Sequence, residues 1–154
     1  MAKTFRLTPF FRVGHVINTF LLRTGAKMGN MVLLTVRGRK SGQPHTVPVA
    51  LVEYDGQRWL TAPYGVVNWV RNLRAAGEAT LTRGRHTERI SAREVSAQEA
   101  APVLKRSLSG YRSFVLAYFD VTSDSSLAEF EREATKHPVF LVKSLSEQQT
   151  GQAD

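Results

Sequence analysis

Short β-branched and apolar runs separated by turn residues are the feature that most limits what this chain can fold into. Asp55-Gly56 is typical of a tight hairpin, and Gly84 is expected to lie at the tip of a second one. The runs that predict strands are MVLLTVRG, TVPVALVEY, QRWLTAP, ATLTRG, HTERISAREV and VFLVKSL, at residues 31–38, 46–54, 57–63, 79–84, 86–95 and 139–145. Five or six short strands are therefore expected, most of them joined by hairpins.

Helical periodicity appears between these strands. VVNWVRNLRAAG, residues 66–77, ends at a glycine, which is a common C-terminal stop. Ser96 with Glu99, and Ser126 with Glu129, have the spacing of capping boxes and are expected to begin two more helices. Strands and helices do not alternate regularly, and no GxGxxG follows a first strand, so a doubly wound α/β fold is disfavoured. The pattern predicts a mainly β, α+β fold: an antiparallel or split β-barrel with added helices.

The length of 154 residues fits one domain, which we place at residues 1–145, followed by a polar tail at 146–154 that is predicted to be disordered. A first helix is expected over residues 8–24, because Thr8-Pro9 is a good helix start. Its broad apolar face suits packing on the core, and its basic, aromatic-rich composition also suits peripheral membrane contact. The chain has no cysteine, no secretory signal pattern and no apolar run of spanning length, so a cytoplasmic location is expected.

The positive charge of the chain is concentrated in its first third. The formal net charge is +8, and residues 1–52 contain eight Lys or Arg and no Asp or Glu. The rest of the chain is neutral. Such asymmetry indicates an anionic partner, such as a phosphate, a nucleic acid or a membrane surface. Nucleic acid is disfavoured because aromatic residues are not interleaved with the basic ones. The four histidines lack metal-ligand spacing, so no metal site is expected.

The sequence GRKSG, residues 38–42, lies between the first two predicted strands. Its two glycines permit a positive φ, which can turn successive backbone N–H groups into one anion-binding concavity. Arg39, Lys40 and Ser41 would add donors around it. A solvated hairpin turn is the alternative interpretation. The segment is not a phosphate-binding P-loop, because it lacks the spacing and the GK[ST] order of that motif.

A second segment, APYGVVNWVRNL at residues 62–73, runs from the end of a strand into a helix. Tyr64 lies at the turn, and Asn68, Trp69 and Asn72 lie on the helix. Asparagines near a helix start can act as caps, and a tryptophan can belong to the core. The segment taken alone therefore leaves a structural role and a binding role both open.

Taken together, GRKSGQP with the following TVP, NWVRNL, QEAAPVL and HPVF resemble the deazaflavin (coenzyme F-420)-dependent nitroreductase and quinone reductase family. The resemblance covers about residues 20–145. It implies a split β-barrel of the flavin-reductase type, which often pairs as a homodimer, and an 8-hydroxy-5-deazaflavin cofactor with a phosphodiester and an oligoglutamate tail. A polyanionic tail of this kind would account for the basic turn. The same basic turn could instead hold the phosphate of flavin mononucleotide (FMN), and a non-catalytic member that binds lipid or haem is a further alternative.

The resemblance also assigns cofactor-binding residues. The phosphate region would be bound by Arg39, Lys40, Ser41 and Gly42. The path to the ring would be lined by Pro44, Thr46, Val47 and Pro48, and the ring would be bordered by Ala62, Pro63, Tyr64, Asn68, Trp69 and Asn72. His45 departs from the arginine common in the family, and Arg37 would then compensate together with Arg39 and Lys40.

The activity that the resemblance implies is hydride transfer from the reduced deazaflavin to a small apolar acceptor: a quinone, a nitroaromatic or an enone. The protein would supply binding and orientation, and a hydroxyl or water would supply a proton. Tyr64 is the leading candidate for the donor, with Tyr111 and Tyr118 as alternatives. Plain packing is the competing interpretation of all three tyrosines.

Overall fold

Six antiparallel strands form a closed barrel in the computed structural model, which describes residues 31–111 and 113–145. The strands are β1 (Met31–Arg37), β2 (Pro44–Tyr54), β3 (Gln57–Thr61), β4 (Glu78–Arg83), β5 (His86–Glu94) and β6 (Val139–Ser144). Their order around the barrel is β1-β2-β3-β6-β5-β4, and β4 closes the barrel by pairing with β1. The predicted barrel with added helices is confirmed.

The two-residue turn between β2 and β3 fixes the register of these strands. Asp55 and Gly56 have φ values of 54° and 70°, the left-handed conformation that a tight hairpin turn of this kind requires at both positions. Tyr54 consequently pairs with Gln57. The β4–β5 hairpin pairs Arg83 with His86, as expected around Gly84. These local turns account for two of the strand pairings of the barrel.

Within the described residues, four α-helices accompany the strands. They are α1 (Asn68–Ala76), α2 (Ala97–Ser107), α3 (Ser113–Leu116) and α4 (Leu127–Ala134), with a 3₁₀ turn at Leu108–Gly110. The predicted capping box of α4 is complete. That of α2 is one-sided: the Ser96 hydroxyl accepts from the Glu99 N–H, but the Glu99 carboxylate lies 3.7 Å from the guanidinium of Arg93.

The apolar residues form two clusters, one inside the barrel and one between the barrel wall and the helices. The barrel interior contains alternate residues of the strands together with Val70 and Leu73 of α1, which closes one end. The second cluster packs Val52, Trp59 and Leu141 from the outer wall against α2, α3 and α4. Alternation along the strands thus supplies apolar residues to both faces of the wall.

The strand directions divide the turns between two ends of the barrel. The β1–β2 turn, the β3–α1 turn and the start of β6 lie at one end, because Arg37 pairs with Pro44 and Thr61 pairs with Val139. The β2–β3 and β4–β5 hairpins lie at the other. The first helix expected at 8–24 and the tail expected at 146–154 lie outside the described residues. Within those residues no helix is long and apolar enough to cross a membrane.

Candidate functional site

The basic turn between β1 and β2 is held together by its own backbone. The Gly38 N–H donates to the Gln43 carbonyl at 2.8 Å, and the Gly42 N–H donates to the Gly38 carbonyl at 2.9 Å. The Gln43 N–H donates to Ser41 Oγ at 3.2 Å. With Gly38, Gly42 and Gln43 engaged in this way, the turn does not present the row of backbone donors that an anion nest requires. Anion binding here would therefore depend mainly on side chains.

The two glycines of the turn serve different purposes. Gly42 has a φ of +71°, as expected of a glycine in a turn. Gly38 does not have a positive φ; it is needed for close approach. A Cβ at position 38 would lie 2.7 Å from Ser41 Oγ and 2.8 Å from His45 Nε2. Gly38 therefore lets the ring of His45 and the hydroxyl of Ser41, which are 3.4 Å apart, fold over the turn.

The basic turn is tied to helix α1 by one asparagine. The Oδ1 atom of Asn72 accepts from the backbone N–H of Arg39 at 3.1 Å and from its Nη1 at 2.8 Å. Asn72 itself is only 5% exposed. The two sequence segments singled out above therefore meet at one end of the barrel, where Asn72 holds Arg39.

The remaining predicted residues of the turn and of β2 differ in exposure. Arg37, Lys40, Pro44 and His45 are exposed, whereas Thr46, Val47 and Pro48 are half-buried. Thr46 Oγ1 lies 2.8 Å from Thr35 Oγ1 across the strand pair. The cations of the turn are therefore exposed to solvent beside the half-buried residues of β2.

Within the described part of the chain, the cations of this turn have no acidic partner, whereas several arginines elsewhere on the barrel do. Arg58, Arg74, Arg89 and Arg93 each pair with a glutamate. Within residues 31–111 and 113–145, no ion pair involves a basic residue of the turn, namely Arg37, Arg39 or Lys40. The donor set therefore suits an anionic group, and the described residues contain no cluster of side chains suited to a metal ion.

Helix α1 begins one residue beyond Val67, which is its N-cap and offers no side-chain acceptor. Asn68 is exposed on the first turn and does not cap the helix, so that structural interpretation is wrong. Trp69 is half-buried against the barrel interior, with its ring centroid 6.0 Å from that of Phe140. Trp69 thus has both a packed face and an accessible one.

The turn after β3 is anchored on the segment before β6. The Ala62 N–H donates to the Pro138 carbonyl at 3.1 Å, and the Gly65 N–H donates to the Ala62 carbonyl at 3.0 Å. Gly65 has a φ of +87°, and a Cβ there would lie 3.2 Å from the Lys136 carbonyl oxygen. Ala62 is 1% exposed, so its side chain is part of the core. Pro63 and Tyr64 follow at the half-buried surface of the turn.

The three tyrosines proposed as proton donors lie in one cluster. Tyr64 and Tyr118 meet edge to face with ring centroids 5.0 Å apart. The Tyr111 hydroxyl lies 2.5 Å from Thr61 Oγ1, and its ring stacks on Phe119 at 5.7 Å. Tyr111 and Tyr118 lie beside short helical turns and not within a long helix. Because Tyr64 is far in sequence from Tyr111 and Tyr118, sequence spacing could not predict that it lies beside them.

Tyr64, Tyr111 and Tyr118 form a tyrosine cluster whose surroundings raise the pKa of two of its phenols, those of Tyr64 and Tyr111. Burial raises the pKa of Tyr64, and the neighbouring Tyr118 and Tyr111 raise it further. Burial also raises the pKa of Tyr111, against hydrogen bonds from Ser107 and Thr61 that lower it. At neutral pH the hydroxyls of Tyr64 and Tyr111 therefore retain their protons, as a proton donor requires.

Thr61 and a buried acid–base pair behind the cluster were not predicted from the sequence. His137 and Glu133 are 1% and 3% exposed, and their Nε2 and Oε1 atoms are 3.1 Å apart. The ring of His137 stacks on Phe119 with centroids 4.0 Å apart. The i, i+4 spacing of Glu133 and His137 was the only available signal, and that spacing is common on exposed helices.

A cavity of about 550 Å³ lies at the opposite end of the barrel and contains none of the predicted site residues. Its lining residues are Gly56, Gln57, Arg58, Glu88, Val142, Lys143 and Ser144. Arg58 and Glu88 form an ion pair there, and the pKa of the Glu88 carboxyl is lowered chiefly by its hydrogen bond with Arg58. This cavity has no aromatic wall against which a flavin-like ring could stack, so the basic turn and the tyrosine cluster remain the candidate site.

The profile of one protein family, described as F-420H(2)-dependent quinone reductase, matches residues 15–118. No curated protein matches the chain. Solved structures similar to it include an F-420-H2-dependent reductase, 24% identical, with 74% of this chain and 94% of that chain covered and a TM-score of 0.53.

Two further solved structures share the fold at lower identity. One, a domain-swapped dimer, is 22% identical, with 88% of this chain and 100% of that chain covered and a TM-score of 0.54. The heme storage protein HutZ from Vibrio cholerae is 10% identical, with coverage of 84% and 87% and a TM-score of 0.53. At these identities the likeness establishes a shared split-barrel fold.

Proposed function

Because the chain belongs to the F-420H(2)-dependent quinone reductase family, we propose that it transfers hydride from reduced deazaflavin coenzyme F-420 to a small apolar acceptor. A quinone is the acceptor class that the family description favours; nitroaromatics and enones are the alternatives. The observation that carries the proposal is the Arg39–Asn72 contact, which joins the basic turn to helix α1 at one end of the barrel; among the described residues, this turn has no acidic partner. The family description names F-420, so the FMN alternative has no support.

Binding would depend on the exposed cations of the basic turn. When bound, the deazaflavin supplies the hydride donor. Arg37, Arg39 and Lys40 would hold its phosphodiester and acidic tail through charge-assisted hydrogen bonds, each contributing about 1.5–3 kcal/mol. Asn72 would keep the Arg39 guanidinium in place before binding, which lowers the entropy lost on association. Trp69 would offer its accessible face to the ring.

Proton delivery would depend on the tyrosine cluster. Tyr64 lies on the turn between β3 and α1, close to the basic turn in the topology, and its raised pKa keeps the hydroxyl protonated. Tyr118 packs against it edge to face and fixes its ring. Tyr111 is positioned by Thr61 and would shape the acceptor site. The phenol of Tyr64 would therefore donate to the acceptor oxygen as hydride arrives.

The decisive experiment measures turnover of the purified full chain with reduced deazaflavin and a panel of quinones, nitroaromatics and enones. We expect turnover with quinones and none when NADPH replaces the deazaflavin, because no dinucleotide fingerprint is present. Tyr64→Phe should lower the rate by about 10²–10⁴-fold, the effect of a positioned general acid. Tyr54→Phe is the matched control, since Tyr54 is exposed at the other end of the barrel.

Two outcomes would contradict this assignment. If Tyr64→Phe changed the rate by less than about threefold, below 1 kcal/mol, the tyrosine would serve in packing only. If the chain reduced none of the panel with reduced deazaflavin but did so with NADPH, the hydride source would be wrong. Titration with oxidised deazaflavin and with FMN, followed by cofactor fluorescence, separates a failure of binding from a failure of chemistry.

The partners of the chain are also proposals. A homodimer accords with the dimeric relative of the same fold, and sedimentation velocity would test it. Membrane contact through residues 8–24 would be tested by co-sedimentation with anionic vesicles at low salt. A variant lacking residues 1–24 is the control, and equal recovery of both proteins in the supernatant would rule the contact out.

A further inference from the structure

A buried histidine lies between the turn that carries Tyr64 and helix α4. His137 Nδ1 is 3.2 Å from the carbonyl oxygen of Ala62, and its Nε2 is 3.1 Å from Oε1 of Glu133. Both His137 and Glu133 are almost completely buried. Neither residue has a part in the function proposed above, so the arrangement calls for an explanation of its own.

The partners of the ring determine where its hydrogens are. A backbone carbonyl only accepts, so Nδ1 must carry a hydrogen. The Glu133 carboxyl faces further donors: its Oε1 accepts from the Asp120 N–H at 3.1 Å, and its Oε2 lies 3.5 Å from Lys136 Nζ. An ionised carboxylate, which only accepts, matches this set of partners. Nε2 must then carry a hydrogen as well, and the ring of His137 donates from both nitrogens.

The contacts of His137 connect it to two members of the tyrosine cluster, Tyr64 and Tyr111. Ala62, which accepts from Nδ1, is two residues before Tyr64, and its N–H donates to the Pro138 carbonyl. The connection to Tyr111 runs through stacked aromatic rings. Phe119 stacks on the His137 ring at 4.0 Å with an interplanar angle of 18°, and Tyr111 stacks on Phe119 in turn.

We propose that His137 is a positioning residue whose doubly protonated ring, balanced by the Glu133 carboxylate, fixes the Tyr64 turn against helix α4. A charged ring is required because a neutral ring could donate to only one of its two acceptors. The loss of either hydrogen bond would break the link between the Tyr64 turn and helix α4, and the Tyr64 hydroxyl would be displaced. The effect on turnover rests on the proposed function, whereas the hydrogen-bonding pattern can be tested without it.

The hydrogen-bonding pattern is tested by nitrogen NMR of full-length protein labelled at its histidine ring nitrogens. The His137 signals are identified by their disappearance in His137→Gln. At neutral pH we expect both His137 nitrogens to carry hydrogen, and in Glu133→Gln we expect Nε2 to lose its hydrogen while Nδ1 keeps the bond to Ala62. The exposed His86 is an internal control for an ordinary ring. An Nε2 without hydrogen in the native protein would overturn the proposal, and so would an unchanged pattern in Glu133→Gln.

The positioning role is tested by separating kcat from KM in Glu133→Gln. This variant keeps the shape of the side chain, so it remains informative if His137→Gln fails to fold. We expect kcat to fall about 10-fold or more, because displacement of a reacting group by about 1 Å can lower a rate by about 10²-fold. KM for the deazaflavin should be unchanged, because the basic turn is not touched. An unchanged kcat would overturn the proposal.

The NMR and kinetic experiments can distinguish a failure of the positioning role of His137 from a failure of the proposed function. If the native chain proved inactive with reduced deazaflavin, the proposed function would fail, and the NMR pattern would still decide the state of the His137 ring. If the native chain were active but Glu133→Gln matched it in kcat, only the positioning role would fail. His86→Gln, a substitution at the far end of the barrel, should leave both readouts unchanged.

Discussion

Replacing Asn72 by alanine should loosen the basic turn, because one side-chain oxygen accepts both hydrogen bonds that tie this turn to helix α1. The bond from the Arg39 backbone is a neutral one, which contributes about 0.5–1.5 kcal/mol. The bond from the guanidinium is charge-assisted, but Arg39 is exposed and would regain water, so its contribution lies near the lower limit of about 1.5 kcal/mol. The free energy of unfolding should therefore fall by about 2 kcal/mol.

This loss should be visible in stability and in binding. A decrease of about 2 kcal/mol lowers the Tm of a chain of this size by about 4–8 °C. Deazaflavin affinity should fall by about 10-fold, or 1.4 kcal/mol, because Arg39 is no longer held ready for the anion. Differential scanning fluorimetry measures the first effect, and titration of cofactor fluorescence measures the second.

A double-mutant cycle isolates the guanidinium bond. Arg39→Ala removes the guanidinium but keeps the backbone N–H that also reaches Asn72, so the coupling of the two alanine variants reports only the bond from Nη1. We expect a coupling of about 1–1.5 kcal/mol in the free energy of unfolding. Asn72→Asp is the matched control: it keeps an accepting oxygen and most of the stability, but it neutralises Arg39 and should still weaken binding.

Two results would refute this reasoning. Additivity of Arg39→Ala and Asn72→Ala within about 0.3 kcal/mol would mean that the guanidinium bond does not stabilise the turn. Full affinity in Asn72→Asp would mean that the charge of Arg39 does not meet an anion. Arg85→Ala, which removes an exposed charge from the other end of the barrel, should change neither quantity.

Three further changes test other parts of the molecule. Tyr111→Phe removes the hydroxyl bonded to buried Thr61 and should lower the free energy of unfolding by about 1–3 kcal/mol in urea titrations; no change would show that the contact is not stabilising. The Arg58 hydrogen bond lowers the pKa of Glu88, so its stabilisation is present above the unfolded-state pKa and is lost as pH falls through the folded-state value. Glu88→Gln should therefore lose less stability than the native chain between neutral and acid pH, and equal losses would contradict this. Gly42→Ala should lower the free energy of unfolding by about 1–2 kcal/mol, measured as a lower Tm, because alanine is strained at a φ of +71°. Nothing lies within 4 Å of the added Cβ, so no clash contributes. An unchanged Tm would show that the turn relaxes.

Much of the fold could be predicted from the sequence because its signals are local. A turn with two left-handed residues at Asp55-Gly56 permits one register, so the pairing of Tyr54 with Gln57 follows from four consecutive residues. The capping box at Ser126 and Glu129 is equally local, and α4 begins where that box predicts. Errors occurred at element ends: β2 begins at Pro44, two residues before the predicted start, because pairing with β1 extends it.

The candidate site was predictable as segments but not as an arrangement. The basic turn and the Asn68–Asn72 helix segment were each recognisable by residue type, and their resemblance to a family placed both in one site. Their actual contact joins residues 33 positions apart, and only the fold shows that Asn72 supports Arg39. Gly38 likewise looked like a residue for positive φ, and only the fold shows that the ring of His45 lies where its side chain would be.

The sequence by itself determined the strands, the hairpins and the helix starts, because each depends on residues within one or two turns of one another. It also determined the excess of positive charge, because that excess depends only on composition. The tertiary structure alone decided which of these meet. Closure of the barrel by β1 and β4, the contact of Tyr64 with Tyr118, and the ring of His137 between Ala62 and Glu133 all join distant parts of the chain. Periodicities of 2 and 3.6 residues assign a side chain to a face. They carry no information on which other face it will meet, since that depends on how the whole barrel closes and how the helices pack on its wall.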